Sequence, residues 1–363
     1  MAKLGKYVTI KTGKLDANAA IENGKYPFFT CSVTPLRIDD FSYDCECVLV
    51  AGNGDLHVKY YYGKFDAYQR TYIIESNDKT LLTVPYLYFF LEKYIETLRK
   101  QSFGGIIKYI RLCNLTNAEI PLCGINKQNQ ITTVLSKLNS VIEMRKKQLL
   151  KLDELVKSRF IEMFGSYPIN PKGWNIGKIR DIVKDVRYGS SRPAVVGGKY
   201  PYLRMNNITY DGKLDLTDIK YIDVPESELD KCAVRKGDVL FNRTNSRELV
   251  GKTCVYTNNE IMVLAGFIIR IRVNELVLPE FLSSFLNTDF SKQKLFNMCK
   301  TAIGQANINA QELQNIGIYL PPIKLQQEFV QFKKQVDKSK LAIEKSIEKL
   351  EILKKSLMQE YFG

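Results

Sequence analysis

The chain has 363 residues, 45% hydrophobic and 25% charged, with 53 Lys and Arg against 39 Asp and Glu for a net charge of +14. That length allows two or three domains, and the charge favours a polyanionic partner. The apolar runs at 81–91 and 261–271 are too short and interrupted to span a bilayer, and the opening MAKLGKYVTI lacks the apolar core of a secretion signal, so a cytoplasmic protein with no membrane partner is expected.

Residues 1–126 are mixed in character. The run 70–75 reads as a strand and 84–99 as a helix by length and apolar spacing. A glycine-rich turn at Ala51-Gly52-Asn53-Gly54-Asp55 follows the apolar strand Val48-Leu49-Val50. Residues 57–72 then read HVKYYYGKFDAYQRTY, tyrosines interleaved with cations and a flat amide. Cations suit phosphate oxygens, and amide or guanidinium groups suit base edges. Asn53, Lys59, Tyr60, Tyr62, Lys64, Tyr68, Gln69 and Arg70 are therefore candidate DNA contacts. A hairpin with half-buried tyrosines fits the same residues equally well.

Residues 127–165 form the next segment. It has no Pro after 129 and no Gly before Gly165, and Leu135, Ile142, Leu149, Val156 and Met163 fall seven apart, with Ile131, Leu138 and Leu152 on the neighbouring row. That spacing is a coiled-coil signature, with Gly165 as a natural stop. Residues 166–323 are mixed again, with strands expected at 238–242 and 265–273 and a helix at 278–300. Polar clusters here hold Arg187, Ser190, Ser191 and Arg192, then Arg204, Asn206 and Asn207. Two more hold Arg243, Asn245 and Arg247, and Gly304 with Gln305 and Asn307. Arg matches guanine and Asn or Gln adenine in two-point hydrogen bonding, so these are further candidate DNA contacts; turn formation accounts for any one cluster alone. Residues 324–363 close the chain with a second seven-residue row of Phe329, Val336, Ile343, Leu350 and Leu357, flanked by Phe332, Ile347 and Leu353.

The four segments form a repeat. LDELVKSRFIEMFG at 152–165 matches LEILKKSLMQEYFG at 350–363 with an offset of 198, and Gly24-Lys25-Tyr26-Pro27 matches Gly198-Lys199-Tyr200-Pro201 with an offset of 174. So long a period is a tandem duplication of a whole domain with its trailing helix, not a solenoid. The expected architecture is α+β: a globular domain at 1–126 and another at 166–323, separated by helices at 127–165 and 324–363 that pair antiparallel in a pseudo-two-fold arrangement. Helices with so narrow an apolar stripe cannot bury it alone.

Motifs of chemistry are incomplete. His57 is the single histidine, which leaves no Cys/His metal cluster. Gly251-Lys252-Thr253 ends like a phosphate-binding loop, but Ser246 stands where its first glycine belongs. Asn170-Pro171-Lys172 falls short of the Asn-Pro-Pro-aromatic element of adenine methyltransferases. The eight cysteines include no C-x-x-C pair and read as free thiols in a reducing compartment.

The duplicated plan resembles the specificity (S) subunit of type I restriction-modification systems over essentially the whole chain. Thr12-Gly13-Lys14-Leu15-Asp16-Ala17-Asn18, the Gly24-Lys25-Tyr26-Pro27 segment and Leu49-Val50-Ala51-Gly52-Asn53-Gly54-Asp55 are similar to the first recognition domain of such subunits. Leu320-Pro321-Pro322-Ile323, leading to Gln326-Gln327-Glu328, is similar to the second; the first junction departs from it, reading Ile120-Pro121-Leu122-Cys123-Gly124. The resemblance implies a non-catalytic subunit that binds double-stranded DNA at an asymmetric bipartite target, one domain per half-site. It further implies a gap of roughly 5–8 base pairs, set against the 10-base-pair helical repeat. Two methyltransferase (M) subunits would dock on the helices and restriction (R) subunits would complete the complex. S-adenosylmethionine, ATP and Mg would belong to those partners, with no cofactor in this chain. A protein-organising adaptor would show no sequence preference, and a self-sufficient enzyme would modify or cleave DNA alone; co-purification of methyltransferase subunits separates these from the specificity subunit.

Overall fold

The computed structural model describes residues 1–302 and 305–363, and the side chains of all of these except 300–302 and 305. The chain divides into two units, Met1–Gln148 with Ile343–Gly363, and Leu149–Ala342.

The first unit is built on a six-stranded sheet. Its order is Val8–Thr12, Thr71–Ser76, Tyr43–Ala51, Val58–Ala67, Tyr26–Phe29 and Leu36–Ile38. All neighbours run antiparallel except Tyr26–Phe29, which lies parallel to Val58–Ala67. Alternation along Tyr43–Ala51 sends Val48 and Val50 to one face, among Leu87 and Phe90, and Cys47 and Leu49 to the other, among Phe29 and Phe65. Both faces of this strand are therefore buried. Helix α1 (Val84–Gln101) covers the first face and starts where Thr83 Oγ1 accepts from the Tyr86 N–H. Helix α2 (Leu112–Thr116) leads into the first long helix, α3 (Ile125–Phe164).

The second unit holds a four-stranded antiparallel sheet of Val183–Tyr188, Ile268–Val273, Val239–Asn242 and Thr253–Val255. A second sheet of Lys220–Ile222, Tyr200–Leu203, Met262–Leu264 and Ala233–Val234 repeats the parallel pairing, here between Tyr200–Leu203 and Met262–Leu264. Its helices are α4 (Glu226–Cys232), α5 (Pro279–Leu286), α6 (Asp289–Met298) and α7 (Ala310–Gln314), and the second long helix, α8 (Ile323–Phe362), begins in it. The single helix expected at 278–300 is broken. The Asn287 N–H bonds back to the carbonyls of Ser283 and Ser284, ending α5, and Thr288 Oγ1 accepts from the Ser291 N–H, starting α6.

The repeat is visible in backbone detail. A Cβ on Gly24 would fall 2.3 Å from the Ile38 nitrogen, and one on Gly198 2.7 Å from the Ile222 nitrogen, so both copies of the Gly-Lys-Tyr-Pro segment need glycine for the same close approach. The two junctions into the long helices also coincide. Gln128 is fully buried; it accepts from the Thr83 N–H (3.0 Å) and donates to the carbonyls of Leu81 and Cys123 (2.8 Å each). Gln326 is fully buried; it accepts from the Leu278 N–H (2.9 Å) and donates to the carbonyls of Leu276 (3.0 Å) and Pro321 (2.8 Å).

Each unit contains one stretch of each long helix. In the first, Ile131 and Leu135 share a core with Met358 and Phe362, while Lys146 ion-pairs with Glu351 at 3.6 Å. In the second, Phe160 packs on Phe329 with centroids 5.2 Å apart, and Asp153 ion-pairs with the buried Lys340. Both pairings are antiparallel, because rising numbers on α3 meet falling numbers on α8. Leu135, Leu138, Ile142, Phe329, Val336 and Ile343 are buried; Leu149, Leu152, Val156, Leu350 and Leu357 are half-buried; Leu353 is exposed. Gly165 ends α3 at a φ of +83° with its N–H on the Ile161 carbonyl, as a C-terminal glycine cap does.

Candidate nucleic-acid interface

Among the described residues no group of His, Cys, Asp and Glu is placed to hold a metal, and no helix is long and apolar enough to cross a membrane. His57 is half-buried, bonds the Asp55 carbonyl oxygen through Nδ1, and has its pKa pulled down by burial.

In the first unit the tyrosine-rich stretch does not form one surface. The extended strand splits it between two faces of the sheet. Lys59 turns toward Phe29, at 5.7 Å from the ring, and donates to the Ser32 carbonyl at 2.6 Å; burial lowers its pKa. Tyr60 turns toward α1 and donates to Glu46 Oε1 at 2.8 Å, and burial together with that carboxylate pushes its hydroxyl up to about 12. Tyr62 is 74% exposed, and Lys64 lies over the Phe41 ring.

A tighter assembly forms around the turn at 68–71. The Tyr68 N–H bonds the Phe29 carbonyl, the Gly52 N–H bonds the Arg70 carbonyl, and Cys31 Sγ reaches the same Arg70 oxygen. Residues 29, 31 and 52 thereby close on this turn, Lys59 bonds the neighbouring Ser32 carbonyl, and Asn53 bridges Tyr109. Gln69 makes a long contact (3.5 Å) to Asp16, and Arg70 is exposed.

In the second unit most candidate arginines are already paired. Arg187 bonds Asp185 at 2.8 Å, Arg192 makes a two-point contact with Glu228 at 2.9 and 3.2 Å, and Arg204 bonds Asp218 at 2.7 Å. The Arg192 and Arg204 guanidiniums hold Glu228 and Asp218 below the usual carboxylate range. Arg247 lies over Phe296 at 4.2 Å and donates to its carbonyl. Arg243 differs: its guanidinium stacks over Tyr188 at 4.8 Å and makes no ion pair or hydrogen bond among the described residues.

The amides also divide. Asn207 is 2% exposed and locks a turn, accepting from the Arg204 N–H and donating to the carbonyls of Asp215 and Asp218, so it has no free group to present. Asn245 accepts from the Ser246 N–H, Ser190 accepts from the Arg192 N–H, and Ser191 and Asn206 are exposed. Asn307 pairs across the ladder with Thr244, and its Oδ1 is buried without a partner among the described residues. Gly304 and the side chain of Gln305 lie outside the described residues. Sequence reasoning missed Tyr188 as the platform for Arg243 and missed the carboxylates that occupy Arg187, Arg192 and Arg204. Only Asp185 was findable, since strand alternation puts residues 185 and 187 on one side.

A family model described as "Type I restriction modification DNA specificity domain" matches residues 1–154 and 171–354. Among curated relatives, the type I restriction enzyme EcoDI specificity subunit of Escherichia coli is 37% identical over 192 residues, covering 53% of this chain and 40% of the relative. The EcoKI specificity subunit of Escherichia coli K12 is 24% identical over 270 residues, covering 70% and 58%. The matches thus span about half the length of these relatives. The crystal structure of a type I restriction-modification S subunit from M. genitalium aligns over 100% of this chain and 95% of its own, with a TM-score of 0.60 at 17% identity. That likeness is one of fold.

Proposed function

Because the chain belongs to the type I restriction-modification DNA specificity family, whose model matches two long stretches of it, we propose that it is the sequence-reading subunit of such a system in the cytoplasm. Each unit reads one half of an asymmetric, bipartite DNA target, and the chain catalyses nothing itself. Methyltransferase subunits carry the chemistry with S-adenosylmethionine, and restriction subunits, with ATP and Mg, join them for cleavage. The observation that carries this reading is a backbone plan repeated in two units with different side chains on it. Gln128 and Gln326 make the same bonds, while the candidate contact residues carried by the two units are not the same set. A shared frame with unequal furnishing suits two unequal half-sites.

The long helices offer methyltransferase subunits apolar surface in each unit. Met144 and Ile352 in the first unit, and Leu150, Leu155 and Leu341 in the second, are between 46 and 64% exposed, an apolar provision beyond what the helix pairing uses. Co-expressing the chain with methyltransferase subunits and mapping modified adenines across the host DNA tests the proposal. One bipartite motif with unlike halves is expected. Modification without a motif, or at a palindrome, counts against it.

A further inference from the structure

Within the proposed recognition role, the two units share one more feature. In the first, the Gly52 N–H bonds the Arg70 carbonyl (2.8 Å) and the Gly52 carbonyl accepts from the Ile110 N–H (2.9 Å). In the second, the Arg243 N–H bonds the Phe267 carbonyl (3.0 Å) and the Arg243 carbonyl accepts from the Ile308 N–H (2.9 Å). The next residues continue the match, Asn53 bridging Tyr109 and Thr244 bridging Asn307. Position 52 of the first unit is thus position 243 of the second, and position 70 is position 267. One arginine occupies this backbone pair in each unit, but on opposite members. A Cβ on Gly52 would fall 2.4 Å from the Arg70 carbonyl oxygen, so the first unit offers its arginine from the turn instead.

Of the candidate arginines 70, 187, 192, 204, 243 and 247, only Arg70 and Arg243 lack a side-chain hydrogen bond or ion pair among the described residues. An arginine bound to a carboxylate has spent its planar donor pair; these two have not. Arg243 is also pre-oriented by stacking on Tyr188. Around it, among the described residues, Arg243 Nε, Thr244 Oγ1 and Asn307 Oδ1 are buried without a hydrogen-bond partner. Native proteins keep few such groups, and these three, on Arg243 and the neighbouring Thr244–Asn307 rung, leave hydrogen-bonding capacity that water or a ligand can fill.

We propose that Arg70 and Arg243 are the base-reading arginines of the two units, each gripping a guanine in its own half-site. Guanine presents two acceptors, O6 and N7, side by side in the major groove, matching the two parallel N–H groups of a free guanidinium. This rests on the recognition role proposed above, and its test separates the two. The full chain, purified with its methyltransferase subunits, is used to select from a library of randomised duplexes, and the enriched sites are sequenced. Arg243→Ala is expected to lower the preference for one guanine about tenfold or more. The other half-site, read by an untouched unit, stays sharp and reports that the protein is folded. Arg70→Ala should do the converse. Arg243→Lys distinguishes base reading from phosphate contact: a phosphate contact survives the exchange, whereas planar two-point reading weakens. Two sharp half-sites in either alanine variant, full rescue by lysine, or both alanine variants blurring the same half-site would overturn the assignment. A wild-type complex that enriches no bipartite sequence would remove the recognition role itself.

Discussion

Lys292 carries a cost that depends on pH. Its ammonium donates to the Gly251 carbonyl at 2.9 Å over the Tyr210 ring, and burial, then the nearby Lys252 and Lys157, lower its pKa from 10.5 to about 8. Below about pH 8 both folded and unfolded chains hold the proton, and the folded state bears the full penalty. Between about 8 and 10.5 the unfolded chain binds the proton and the folded chain does not, so this group makes stability rise with pH across that window. Lys292→Met should therefore raise the unfolding temperature at pH 7, with a gain that shrinks by pH 10. An equal gain at both pH values would show that the lysine is not the titrating group. None of this was legible beforehand: Lys292, Lys252 and Lys157 are scattered along the chain, and only the fold gathers them. The arginines teach the same lesson, since the partners of Arg192 and Arg204 lie 36 and 14 residues away.

At the level of elements, the long helices were the most legible part, because a seven-residue apolar row sustained from 135 to 163 and again from 329 to 357 has no competing explanation. The strand Val58–Ala67 was less so. Its alternation was present in the sequence, but the aromatic side chains suit either face, so periodicity could not tell tyrosines against the core from tyrosines in water. The helix expected at 278–300 failed for a local reason, the Asn287-Thr288 pair acting as a stop and a new cap. The glutamines at the helix junctions lie between these cases. Gln326 follows Pro321-Pro322 visibly, but the copy at Gln128 follows no such marker, and only identical hydrogen bonds reveal it. Each glutamine satisfies a backbone N–H and two carbonyls in a fully buried site. Gln326→Ala should cost roughly 2–4 kcal/mol through the unpaired groups it leaves. Gln326→Glu should also destabilise, since a carboxylate cannot donate to the carbonyls of Leu276 and Pro321. Urea unfolding followed by circular dichroism measures both; an alanine variant within about 0.5 kcal/mol of wild type would show that water replaces the amide.

Across the whole molecule, the order of the chain and the membership of the units do not coincide. The helix that follows the first domain ends in the core of the second unit, where Phe164 packs on Phe281 and Phe329 at 5.0 and 5.6 Å. The helix that follows the second domain ends in the first unit, where Phe362 packs on Tyr86 and Phe90 at 5.0 and 6.2 Å. The duplicated Phe-Gly endings were legible as a repeat, but a repeat alone does not say which domain each ending completes. A direct consequence follows for stability. Phe362→Ala removes a side chain only 6% exposed, a change that costs about 3–5 kcal/mol in a packed core. The loss should fall on the N-terminal domain, although the mutation lies at the far end of the chain. Hydrogen exchange read by mass spectrometry should quicken in α1 and leave α5 unchanged, and Phe164→Ala should quicken α5 and leave α1 unchanged. Faster exchange in the domain that precedes each mutated helix would mean that each half closes on itself.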